Sequence, residues 1–70
     1  MNKYIGSLVR RKIGNVVGVL MSSTAINKEN TEFNCEVAFG YLTKADAQAR
    51  KSITTKWPEI HSRDIELISR

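Results

Sequence analysis

The sequence predicts an α+β fold in which an antiparallel sheet of three to four strands carries one helix on one face, in the order strand, strand, strand, helix, strand. Three observations lead there. Phe33, Cys35, Val37, Phe39 and Tyr41 alternate with Asn34, Glu36, Ala38 and Gly40, the period-two pattern of a half-buried strand. Asn15 to Ser23 is valine-rich, with Val17, Val19 and Met21 on one face and Val16, Gly18 and Leu20 on the other; apolar residues on both faces mark a central strand. Thr43 is a helix-capping residue, Asp46 follows three positions later, and Ala45, Ala47 and Ala49 favour helix beyond it.

Taken in order, Lys3 to Arg11 is expected to be the first strand. Tyr4, Leu8 and Val9 fit either period, but Gly6 weakens a helix, and Lys12-Ile13-Gly14-Asn15 offers a turn into the next strand. Between the second and third strands, the polar centre Asn27-Lys28-Glu29-Asn30 predicts the loop of an antiparallel hairpin. In the helix, Ala45, Ala49, Ile53 and Trp57 recur every four residues and predict one narrow apolar stripe against the sheet. Pro58 disfavours helical geometry at Trp57 and ends the element. Asp64 to Ser69 closes the fold as a last strand, with Ile65 and Leu67 on one face.

Seventy residues make one small domain, read here as residues 1–70. At this size a single core supplies roughly 3 to 5 kcal/mol at best, and small domains usually add a disulfide or a metal. One cysteine and one histidine provide neither. Help from tight packing, from a partner or from a second copy of the chain is therefore expected. A free thiol suits a reducing cytoplasm. The basic start followed by Ile13 to Met21 imitates a signal peptide, yet that stretch is short and contains Gly14, Asn15 and Gly18, so a cytoplasmic protein is expected. No apolar run approaches the roughly 20 residues of a membrane span.

Catalytic chemistry finds little footing. His61 is the one histidine, and its neighbours Ser62 and Asp64 would fall on the opposite face of a strand that extended to it. Cys35 sits on the apolar face of the clearest strand, where a thiol is buried and inert. Asp64 and Glu66 share a face near Arg63 and Arg70, as solvated edge charges do. Gly14 and Gly18 lack the Gly-Lys-Ser/Thr ending of a phosphate loop. No enzyme activity, cofactor or metal is expected.

Charge is more informative. The net +4 is concentrated: residues 1–20 hold Lys3, Arg10, Arg11 and Lys12 with no acid, while the remaining fifty residues sum to zero. Arg10, Arg11 and Lys12 at a hairpin tip are the first candidate contact residues, and Lys44 and Lys51 add a second basic surface on the helix. The expected partner is another protein, met by these bases or by an uncovered sheet edge. The alternative is a small DNA- or RNA-binding module that grips phosphates with the same residues, and a homo-oligomer is a third reading.

From Phe33 onward, the strand running into Leu42-Thr43-Lys44-Ala45-Asp46-Ala47, the alanine-rich helix, Trp57-Pro58 and the closing strand Asp64-Ile65-Glu66-Leu67-Ile68 resemble the layout of small accessory proteins of bacteriophages and other mobile elements. Inhibitors of host RNA polymerase and anti-CRISPR proteins are among them. The resemblance covers about half the chain and implies a compact protein that blocks a larger host machine by binding; it carries over no functional residue.

Overall fold

The computed structural model describes residues 2–50 and 56–69. A 3-10 turn, Asn2–Tyr4, leads into β1 (Leu8–Arg11), β2 (Val16–Ala25), β3 (Phe33–Phe39), α1 (Lys44–Arg50), β4 (Glu59–His61), a second 3-10 turn (Ser62–Asp64) and β5 (Ile65–Ser69). All the strands join one antiparallel sheet in the order β4-β3-β2-β1-β5. The α+β class and the helix on one sheet face match the expectation, and β2 is central.

The sheet has five strands rather than three to four. The additional strand, β4, has three residues of which only Ile60 is apolar, too few for alternation to register; its pairing with β3, Asn34 with His61 and Cys35 with Ile60, makes it a strand. The first strand is shorter than expected. Gly6 takes φ 93°, a conformation open to glycine, and turns the chain between the first 3-10 turn and β1. The Gly6 amide then donates to the Leu20 carbonyl at 2.8 Å, and the Leu20 amide to the Ser7 carbonyl at 3.0 Å.

Connectivity forces the sheet to curl. β4 and β5 lie at opposite edges, yet only Ser62, Arg63 and Asp64 separate them. Four residue steps reach at most about 14 Å, whereas five strands laid flat would hold the edges about 19 Å apart. The sheet rolls up instead. A bulge at Met21 helps, because the register between β2 and β3 shifts between Leu20 and Ser22. On one side of that bulge β2 pairs with both β1 and β3; beyond it, Ser22 to Ala25 pair with β3 alone. The concave face encloses Val9, Leu20, Cys35, Val37 and Ile65, with Phe33, Phe39 and Ile60 beside them and Tyr4 and Ile5 packed against the cluster.

The other face holds a smaller cluster of Val19, Ala38 and Ala47, with Met21, Tyr41 and Trp57 around it. Thr43 caps α1 as expected: its Oγ1 accepts from the Asp46 amide at 3.1 Å. The stripe differs. Ala47 is buried and Ala45 and Ala49 are exposed; Ile53 lies outside the described residues. Tyr41 also leaves the face on which its alternation places it. β3 ends at Phe39, Gly40 takes φ 88°, and the Tyr41 ring meets Trp57 edge-on, with centroids 5.7 Å apart.

Two substitutions separate core volume from backbone approach. Leu20→Ala should lower stability by about 2–5 kcal/mol, the usual cost of emptying a fully buried leucine site. Gly18→Ala should cost about 1–3 kcal/mol through overpacking. The added Cβ would stand 2.7 Å from the Ala38 carbonyl oxygen and 2.9 Å from the Phe39 Cα, backbone atoms that cannot swing aside. Chemical denaturation followed by Trp57 fluorescence measures both; a Gly18→Ala protein as stable as the parent would remove the close-approach argument.

Candidate functional site

The predicted basic residues do not share one face of the sheet. Arg10 and Arg11 are consecutive in β1 and so point to opposite faces of the sheet. Arg10 forms an ion pair with Glu66, its cross-strand neighbour on β5, and donates to Asn15 Oδ1 at 2.7 Å. Arg11 lies on the other face, with its guanidinium 5.5 Å from the centre of the Phe39 ring and its Nε donating to the Ile13 carbonyl at 2.9 Å. Lys12 is exposed, and its backbone amide donates to the Asp64 carbonyl at 2.9 Å. Lys44 is the half-buried first residue of α1, and Lys51 lies outside the described residues.

The connections that carry these bases share one end of β2. Gly40, just past β3, donates its amide to the Val17 carbonyl at 3.2 Å, and Arg11 reaches Phe39, the last residue of β3. The β1–β2 turn and the β3–α1 connection are thereby neighbours. Gly14 and Asn15 take φ 85° and 54°, left-handed values that make the turn tight. Ile13 on the turn and Leu42 on the connection are 78% and 67% exposed.

A second feature escapes sequence reasoning: the seam at the 3-10 turn that joins the two edge strands. An open cleft of about 420 Å³ runs between the β1–β2 turn and β4, lined by Arg11, Ile13, Glu59, Ile60, His61 and Asp64. A second, of about 320 Å³, lies on the other side of the 3-10 turn and is lined by Thr31, Glu32, Phe33, His61, Ser62 and Arg63. His61 borders both. The polar run Ser62-Arg63-Asp64 between Ile60 and Ile65 is the available sequence signal, and it marks a break between strands without telling which distant residues face it.

The seam is tied together by the same side chains, Ser62 and His61, that a catalytic reading would single out. Ser62 Oγ accepts from the Phe33 amide at 3.1 Å. His61 caps the 3-10 turn, its Nδ1 accepting from the Arg63 amide at 3.0 Å while Nε2 stands 3.2 Å from Glu32 Oε1. The loop before β3 is organised by Asn27, whose Oδ1 accepts from the amides of Thr31 and Glu32, both at 3.1 Å. β5 begins at Ile65, so the local geometry of Ser62 and Asp64 is that of a turn and not of alternating strand faces. Among the described residues no group of three or more His, Cys, Asp or Glu is placed to hold a metal ion, and no helix is long and apolar enough to cross a membrane.

Cys35 is buried in the concave core opposite Ser23 on β2. Burial pushes its thiol above the ordinary value, partly offset by the Ser23 hydroxyl. Comparison with known proteins returns no matching family model, no matching curated protein and no matching solved structure.

The raised thiol fixes the sign of a pH effect. Because the folded state holds the proton more tightly than the unfolded state, the stabilisation is complete below the unfolded value and is lost as pH rises through the folded one. Stability should therefore fall more steeply between neutral and alkaline pH in the parent than in Cys35→Ala, as read from urea midpoints. A thiol reagent should react with the native protein far more slowly than with the unfolded chain; equal rates would place Cys35 at the surface.

Proposed function

We propose that this chain is a small, non-catalytic binding module whose partner is another protein, docked on the end of the sheet formed by the β1–β2 turn and the β3–α1 connection. The observation that carries this is the exposure of Ile13 and Leu42, the most exposed large apolar side chains among the described residues, on two neighbouring connections, with Arg11 and Lys12 beside Ile13 at the first of them. Apolar anchors that lose water on contact supply most of the affinity of such surfaces, and flanking charges orient the approach. The cleft beside Ile13, with Ile60 on its far wall, provides a concavity for an incoming side chain. The resemblance in layout to small mobile-element proteins adds a narrower expectation, that the partner is a larger host machine.

The same geometry ranks the nucleic-acid reading second. Arg10 is matched by Glu66 and Arg11 is packed on Phe39, which leaves Lys12 as the turn base without a described side-chain partner. Phosphate binding draws its affinity from several free cations acting together.

Capture from a bacterial lysate with the tagged chain should give a dominant complex that survives nuclease treatment. Ile13→Asp combined with Leu42→Asp should abolish it. Ile26→Asp, on a residue 54% exposed at the opposite end of β2, should leave it intact. A complex equally sensitive to both changes would refute the assigned surface. Binding to a mixed DNA and RNA pool that weakens steeply with salt, with the slope flattened by Arg11→Ala and Lys12→Ala, would replace the protein partner with nucleic acid.

A further inference from the structure

We infer that the 3-10 turn joining β4 to β5 is an acid-sensitive latch, released when the His61 ring takes up a second proton. A ring nitrogen accepts a hydrogen bond only while it carries no proton. Nδ1 accepts from the Arg63 amide at 3.0 Å, so the neutral ring carries its proton on Nε2, where the acceptor is Glu32 Oε1 at 3.2 Å. The second proton must go to Nδ1. There a donor would face the donor N–H of Arg63, and the cap of the turn is lost. The ring keeps its place opposite Glu32, now as an ion pair, but that carboxylate side chain is half exposed and the pair holds the loop before β3 rather than the turn.

The charged groups around the ring come from every neighbouring element: Glu32 from the loop before β3, Glu59 on β4 itself, Arg63 and Asp64 in the turn, and Arg11 from β1 across the cleft. Asn34, opposite His61 on β3, is uncharged. None of these supplies the Arg63 amide with a substitute acceptor in the described structure.

The turn is where such a loss matters. Its Asp64 carbonyl accepts from the Lys12 amide and its Ser62 hydroxyl from the Phe33 amide, so it fastens the ends of β1 and β3 to each other across the rolled sheet. His61 and the turn also wall both seam clefts. Protonation of one ring thus loosens the shared wall of two surface clefts.

Nitrogen-15 NMR of the whole chain from about pH 8 to about pH 5 tests this by following the ring nitrogens and the Arg63 amide together. At the upper end the ring should show its proton on Nε2. As the ring titrates, the Arg63 amide resonance should move along the same curve. Its exchange protection, corrected for the intrinsic pH dependence, should fall roughly fivefold, the worth of a helix cap. His61→Asn supplies a capping acceptor that cannot gain a proton, and it should keep Arg63 protected at both ends of the range. An Arg63 amide indifferent to the ring's titration, a neutral ring protonated on Nδ1, or a His61→Asn protein that loses protection as the parent does would each overturn the latch. The titration of the unmodified chain decides the matter even if the variant does not fold.

Discussion

Three residues joining opposite edges of one sheet are the constraint on which the rest of the molecule depends. Ser62, Arg63 and Asp64 span from β4 to β5, and no flat five-stranded sheet can be closed by a connection that short. The roll that results gives the sheet an inside and an outside. It brings the β1–β2 turn against β4, and it leaves a seam in which polar side chains hold the structure: Ser62 takes the Phe33 amide, the Asp64 carbonyl takes the Lys12 amide, and His61 caps the turn itself.

The roll also explains how so short a chain, whose one cysteine allows no internal disulfide, builds two apolar layers. Inside, long side chains from every strand converge, and Tyr4 and Ile5 pack against them from a segment that is not part of the sheet. Outside, the space under α1 is small, and the residues in contact are small to match: Ala47 on Ala38 and Val19, with the wider margin filled by Met21, Tyr41 and Trp57. Gly18 belongs to the same economy of space, since it lies where β2 passes close to the backbone of β3.

Charge tells a different story in three dimensions than along the chain. A run of Arg10-Arg11-Lys12 reads as one basic cluster, but strand geometry sends the first two to opposite faces, where one meets Glu66 and the other an aromatic ring. What remains at that end of the sheet is Lys12 beside the exposed apolar side chains of Ile13 and Leu42.

The sequence by itself determined the elements whose information is local. The alternation of Phe33, Cys35, Val37 and Phe39 placed β3 and its inner face, the doubly apolar run around Val19 and Leu20 made β2 central, Thr43 started the helix, and Asn27 to Asn30 formed the hairpin loop. Tertiary structure decided what depends on contacts between distant residues. β4 is a strand because β3 lies beside it; Ala47 rather than Ala45 and Ala49 is buried because of where α1 meets Val19 and Ala38; Tyr41 changes face because Gly40 turns the chain. The seam around His61 belongs wholly to this second class. Its partners, Glu32 and Phe33 on one side and Arg11 to Ile13 on the other, are about 30 and 50 positions away in sequence, and only the closing of the sheet brings them to one turn.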